Sequence, residues 1–381
     1  MKNLSAVILS LLYLSAFAQK ISEKQNIIII TTDGFRWQEL FRGADSSFTH
    51  NPDLVKDTGL INQEYWDNNQ DLRRQKLMPF FWNVIAKQGQ LYGNRDLNNK
   101  VNVANLYKIS YPGYNEILTG HPDWKFNPNL PVQNKNINIL EYLNKQDGYK
   151  GKVAAFSSWN IFPYILNEKR SNFPVNSGYD MLDENEDSNN VIINSVQQSI
   201  VKQTNTRYDL LTYVSAKEYI GHNHPKVTFI GFGETDELAH RDQYDLYLQK
   251  ANQIDHLIAD LWYYIQTDPF YKGTTTLIIT TDHGRGKKAD TWHKHGFFTK
   301  GSADTWLALL GPAILPAGEM KSEQQIYSKQ IAQTVAAILD FKFAVNHSIG
   351  KAMSLPSNGA NEKPLSNFSG GEVPLLNSIQ K

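Results

Sequence analysis

Three apolar, β-type runs in this chain each end in an acidic residue. They are Ile27-Ile-Ile-Ile-Thr-Thr-Asp33-Gly34, Val227-Thr-Phe-Ile-Gly-Phe-Gly-Glu-Thr-Asp236-Glu-Leu-Ala-His240 and Leu277-Ile-Ile-Thr-Thr-Asp282-His283-Gly284. An open α/β sheet binds its ligands at the carboxyl ends of its strands. Three carboxylates gathered there would repel one another without a cation. Carboxylate oxygen and imidazole nitrogen are the donors that a hard or borderline dication takes. Asp236 and His240 stand four apart, one turn of a helix beginning at Asp236. Asp282 and His283 adjoin at a strand end, and His295 in Trp292-His-Lys-His-Gly296 offers a further imidazole, with His293 as the fallback. Taken singly, an Asp-Gly is a turn and an Asp/His pair is a helix cap. Together they point to one polyvalent cation site and a metal-dependent hydrolase.

A nucleophile candidate lies in Lys108-Ile-Ser110-Tyr-Pro-Gly-Tyr-Asn-Glu-Ile-Leu-Thr-Gly120. Ser followed by Pro two residues on is also an ordinary helix start. The two roles are compatible, because a helix N-terminus favours the charge that develops on a phosphoryl group.

The elements that must position these residues alternate. Beta-type runs at 27–32, 152–156, 227–232, 275–281 and 305–310 are separated by helix-like stretches. That pattern predicts an α/β domain with a mostly parallel central sheet and helices on both faces. The clearest helix runs from about Arg241 to Thr267, with Tyr244, Tyr247, Leu248, Ala251, Ile254, Ile258, Leu261, Trp262 and Ile265 at helical steps before Pro269. Others are expected at 78–88, 137–145, 190–203 and 329–339. Residues 41–74 and 162–189 lack periodicity and read as insertions over the strand ends. From about 346 to 381 the chain reads as a loosely packed tail.

Lys+Arg and Asp+Glu both number 38 among 381 residues, so no global field draws in duplex nucleic acid or anionic membrane. Lys2, the apolar stretch Leu4 to Phe17 and Ala16-Phe-Ala18 form a signal-peptide pattern, with cleavage after Ala18 and an exported, periplasmic or secreted product. About 14 apolar residues are too few to span roughly 30 Å, and no later stretch reaches that length, so no membrane span is expected in the mature form. With no Cys there is no lipid attachment at the cleavage site and no disulfide. One domain over 19–345 is the default.

The ordered set Asp33-Gly-Phe-Arg36, Ser110-x-Pro with Leu118-Thr-Gly120, Asp236-x-x-x-His240, Asp282-His-Gly284 and His295-Gly296 resembles the alkaline phosphatase superfamily. The nearest branch looks like the type I phosphodiesterase/nucleotide pyrophosphatase family. The resemblance spans roughly residues 25 to 312. It implies an alkaline phosphatase-like fold and two zinc ions, one held by Asp236, His240 and His295, the other by Asp33, Ser110, Asp282 and His283. It implies a small-molecule phosphate ester as substrate, a diester or nucleotide pyrophosphate ahead of a monoester. It also implies attack by Ser110 and a phosphoserine intermediate.

The chain departs from that pattern in places. An Asn downstream of the Thr-Gly pair that would bind a phosphate oxygen has Asn129, or Asn127, as its nearest candidate. The stretch Phe156-Ser-Ser-Trp-Asn160 lacks the Lys and Arg by which some monoesterases grip a dianion, which leaves Arg36 and Arg285 as alternative cations for a monoesterase reading. Tyr114 stands where a sulfatase's Ser-x-Pro-x-Arg segment has Arg, which argues against sulfatase chemistry, and a phosphomutase-like relative fits an exported chain poorly. Tyr114 and Trp159 are the aromatics expected to line the pocket. His222 and His224 read as loop residues. The rival from another class is a non-catalytic surface binding protein.

Overall fold

The computed structural model describes residues 25–125, 129–185, 187–203 and 205–356. The expected signal segment and the tail beyond 356 lie outside the described residues. Among the described residues no helix is long and apolar enough to cross a membrane.

The strands are β1 (Asn26–Thr32), β2 (Gln90–Tyr92), β3 (Asn99–Asn102), β4 (Val153–Ser157), β5 (Val175–Ser177), β6 (Val227–Phe232), β7 (Thr275–Thr280), β8 (Asp304–Thr305), β9 (Leu307–Leu310), β10 (Gly318–Glu319) and β11 (Gln324–Tyr327). Eight of them form one sheet in the order β10-β2-β9-β7-β1-β6-β4-β5, and β11-β3-β8 form a small second sheet. In the large sheet only β9 runs against the others. β1 lies between β6 and β7, with Ile27 beside Val227 and Thr276. The three acid-terminated runs are therefore adjacent strands of one direction.

Both faces of the sheet are buried, so these strands read as continuous apolar runs. Successive side chains of β1 alternate between two cores. Ile28 and Ile30 join Ile254, Ile258 and Leu261 of the long helix Tyr244–Thr267. Ile27 and Ile29 join Ile117 and Leu118 of the helix Ser110–Thr119 and Val335 of Ile331–Ile338. Fully burying each isoleucine contributes about 1.5–3 kcal/mol.

Several expectations need correction. Residues 305–310 do not continue the parallel sheet: they split at Trp306 into β8 and β9, and β9 opposes β7. The long helix starts at Tyr244, because Asp242 in a left-handed conformation (φ 55) separates it from the helix Glu234–His240. The helix Asp209–Asn223 falls in a stretch where none was expected. Residues 41–74, read as an aperiodic insertion, fold into short helices. Asp45, Asp57 and Asn69 cap three short helices by accepting from Ser47, Leu60 and Asp71 N–H groups. Phe48, Leu54, Val55, Ile61 and Leu77 enter the core under the long helix, and Tyr244 N–H bonds to Leu54 O. Residues 162–189 supply β5 at the sheet edge. Of the tail, residues 346–356 are packed in part: Met353 is buried and Gly350 N–H bonds to Gly120 O.

One close approach fixes the first turn of the helix Ser110–Thr119 against β7. A Cβ built on Gly113 would lie 2.4 Å from the Asp282 carbonyl oxygen. Gly113→Ala is expected to cost about 1–3 kcal/mol through overpacking in denaturant unfolding. An unchanged unfolding midpoint would show that the helix shifts without strain.

Candidate active site

Asp33 follows β1, Asp282 follows β7, and Asp236 sits in the first turn of the helix that follows β6. Because those three strands are neighbours, their ends deliver all three carboxylates to one place. Gly34 makes the approach possible. It adopts φ +58, and a Cβ there would lie 2.8 Å from Asp236 Oδ1 and 3.1 Å from His283 Cε1. Its N–H donates to Asp282 Oδ1 at 3.0 Å. Thr235 donates to the Asp33 carbonyl at 2.5 Å, tying the β6 helix to the end of β1.

The cluster has a deep half and an open half. In the deep half His283 Nε2 lies 3.4 Å from Asp33 Oδ1, 3.5 Å from Asp282 Oδ2 and 3.4 Å from Ser110 Oγ. Ser110 Oγ also donates toward Asp33 Oδ1 at 3.5 Å. All four residues are buried. In the open half His240 Nε2 is 3.0 Å from both Asp236 Oδ2 and His295 Nε2. Asp236 Oδ1 stands between the halves, 3.9 Å from His283 Nε2 and 3.8 Å from His295 Nε2. Asp236, His240 and His295 thus present ligand atoms to one point, and Asp33, Asp236 and His283 to a second. The rings of His283 and His295 stack at 4.0 Å.

The residues fit divalent cations. Asp282 Oδ2 is buried without a hydrogen-bond partner, an expensive state for a carboxylate oxygen unless a cation meets it. The Nδ1 atoms of His283 and His295 face the carbonyls of Gly284 and Lys108, so each Nε2 is turned into the cluster, as outer partners of metal-bound histidines do. Burial, then the Asp33 charge, push the Asp282 carboxyl well above its usual range. Burial acts to lower His283, but the carboxylates of Asp282 and Asp33 outweigh it and hold the imidazole up at about 9. Burial and then the neighbouring His283 charge lower His295 and His240, keeping both imidazoles neutral and free to donate a lone pair. Mutual repulsion of carboxylates and crowding of imidazoles are the strains that bound cations relieve.

Among the other candidates, Asn129 is near Ser110. Its Oδ1 accepts from Tyr111 N–H at 3.0 Å, beside Ser110 at the helix start. Trp159 is half-buried, with its ring 6.4 Å from that of Tyr114. Tyr114 is not an open stacking face: it is buried, and its hydroxyl donates to Asp33 Oδ2 at 3.1 Å, orienting that carboxylate. Arg36 does not reach the site. Its fully buried guanidinium bonds both oxygens of Glu39 at 2.9 and 2.7 Å and the Gly286 carbonyl. Arg285 does reach it but is engaged, paired with the Asp236 carboxylate and donating to the His293 carbonyl at 2.6 Å. His293 turns to Asp242 at 2.8 Å, which leaves His295 as the imidazole in the cluster. His222 and His224 face Asp187 and Asp268 away from it.

Sequence reasoning missed a buried pair that sets the β6 helix. The Asp209 carboxylate accepts from Gly233 and Glu234 N–H groups, and Glu234 accepts from Asp209 N–H and from Lys250. Burial, then the Glu234 charge, push Asp209 up to about 7. The partners are 25 residues apart, so no local pattern announces them.

Two outcomes follow from this geometry. Arg36→Ala leaves Glu39 buried and unpaired, at an expected cost of about 3–5 kcal/mol in chemical unfolding. A loss of substrate affinity with stability intact would return Arg36 to the site. Chelation of divalent metal should lower the melting temperature, and zinc at 100 times its dissociation constant should restore about 2.7 kcal/mol. A melting curve indifferent to chelator and zinc would separate this cluster from metal binding.

No family model and no curated protein matches the sequence. Solved structures do. The alkaline phosphatase PafA superposes with a TM-score of 0.54 at 11% identity, covering 87% of this chain and 98% of that one. The lipoteichoic acid synthase LtaP from Listeria monocytogenes gives 0.53 at 13% identity, over 84% of this chain and 73% of its own. BT1596, a 2-O GAG sulfatase, gives 0.51 at 11% identity, over 85% and 72%. The protein has the fold of the alkaline phosphatase superfamily.

Proposed function

We propose that the protein is an exported two-zinc hydrolase that cleaves phosphate esters through a phosphoserine on Ser110, with diesters or nucleotide pyrophosphates favoured over monoesters. The observation that carries this reading is the place of Ser110. Its Oγ lies at the first residue of a ten-residue helix, 3.4 and 3.5 Å from His283 and Asp33, inside the ring of candidate ligands. Export rests on the N-terminal sequence pattern.

Asp236, His240 and His295 would hold one cation, and Asp33, Asp282, His283 and Ser110 the other. When bound, the metals lower the pKa of the serine hydroxyl and of water and neutralise charge on phosphoryl and leaving oxygens. The chain's own residues do the rest. Gly113, packed on the Asp282 backbone, and Tyr114, bonded to Asp33, set the position of Ser110. Ser110 Oγ gives up its proton to solvent and attacks phosphorus, the bond to the leaving oxygen breaks and that oxygen takes up a proton, and the helix N-terminus beneath it favours the added negative charge. Water then forms a new P–O bond, the Oγ–P bond breaks, and the serine regains its proton. Burial of the deep half excludes bulk water from the nucleophile and strengthens each electrostatic contact there.

Preference for a diester is favoured by the state of the cations. Arg36 is enclosed with Glu39, and Arg285 is paired with Asp236, so neither guanidinium is free for the second charge of a monoester. Tyr114, in the place of a sulfatase arginine, is spent on Asp33.

Ser110→Ala is expected to reduce turnover by up to about 10⁶-fold while bound metal is retained. Near-parental activity would mean that another group attacks. Bis(4-nitrophenyl) phosphate should be cleaved with a higher kcat/KM than 4-nitrophenyl phosphate. A large monoester preference would reverse the substrate assignment.

A further inference from the structure

At the far end of the helix that Ser110 opens lies a solvent-open cavity of about 420 Å³, lined by Leu106, Gly120, His121, Trp124, Lys329 and Ser348 among others. Ser110 opens that helix and Gly120 closes it. Ten residues at about 1.5 Å each place the cavity roughly 15 Å from the nucleophile. It shares no residue with the metal cluster, and the reaction does not use it.

The cavity is preformed. The buried Glu116 carboxylate gathers two segments of its wall by accepting from the N–H groups of Ala104 and Asn105 on one and of Lys329 on the other. Gly350 N–H bonds to Gly120 O, and a Cβ on Gly350 would lie 2.4 Å from Lys329 O, so the wall there is in backbone contact. Tyr107 donates to the Trp124 carbonyl at 2.5 Å, fixing the segment that presents the indole. Ser348 Oγ and His121 Nδ1 meet at 3.1 Å across the opening. A site fixed in advance binds without an ordering cost.

Its lining is divided. Trp124 is 69% exposed and Leu106 45% exposed, two large apolar surfaces left open beside a hydroxyl and an imidazole. The Lys329 ammonium lies over the Tyr327 ring at 5.2 Å and so is already engaged. Among the described residues no acidic side chain lines the cavity. A flat aromatic face next to a hydroxyl and an imidazole suits a ligand with an apolar face and a hydroxyl edge. We propose that this cavity is a carbohydrate-binding site, in which a pyranose ring stacks on Trp124 and sends hydroxyls to His121 and Ser348.

The test is titration of the full chain with cellobiose, lactose and N,N′-diacetylchitobiose, followed by calorimetry and by tryptophan fluorescence. At least one is expected to bind with a dissociation constant of about 1 mM or lower. Trp124→Ala should weaken that binding at least about tenfold, and His121→Ala should weaken it as well. Trp124 contributes only its carbonyl to the hydrogen bonds given above, so circular dichroism should show the variant folded. The proposal is overturned if none of the three sugars binds at about 10 mM, ten times a millimolar constant. Binding unchanged in folded Trp124→Ala overturns it too, as does displacement of the sugar by inorganic phosphate at equal concentration.

Discussion

The structure turns on the cost of holding Asp33, Asp236 and Asp282 together at the ends of three adjacent strands. Carboxylates this close repel, and one oxygen of Asp282 is buried with no hydrogen bond, facing only the His283 imidazole at 3.5 Å. The surrounding fold accepts that cost and enforces it. Register brings β1, β6 and β7 side by side, Gly34 lets their ends close to within contact, and Thr235 ties the β6 helix to Asp33. A fold that spends stability on such a cluster is organised for what the cluster attracts.

The rest of the site follows from the same convergence. The helix Ser110–Thr119 packs its first turn on the Asp282 backbone, which is why Ser110 stands inside the cluster and not at its rim. Its C-terminal end is tied back to Gly350, and its Glu116 anchors the loop that leads into Ser110. Asp209 and Glu234 each accept hydrogen bonds from the first N–H groups of the other's helix, so the candidate ligands Asp236 and His240 ride on an element fixed from below. The open half of the cluster faces solvent while the serine half is sealed, which gives the site one side for approach.

Much of this was legible in the sequence because the strands are buried on both faces. Runs such as Ile27–Thr32 and Leu277–Thr281 carry enough β-branched residues to be read without tertiary knowledge, and the acid at each end follows from inspection. The Asp236/His240 pair was legible because helical period alone brings i and i+4 together. The sequence was less informative where contacts are remote or elements short. β2, β5 and β10 have two or three residues each and exist only by pairing with longer strands. The helix Asp209–Asn223 buries Asp209, Thr212 and Ser215 while leaving Leu210 exposed, and its weak amphipathicity hid it. Arg36 looked available beside Asp33, and only the fold shows it enclosed with Glu39. Tyr114 looked like a stacking face, but a helix turn separates it from Ser110 and points its hydroxyl at Asp33.

Anomalous diffraction at the zinc edge from crystals of the purified protein tests the central claim most directly. Two peaks are expected, one among Asp236, His240 and His295, the other among Asp33, Asp282, His283 and Ser110. A map with no peak at these carboxylates, from crystals grown with zinc present, would contradict the account.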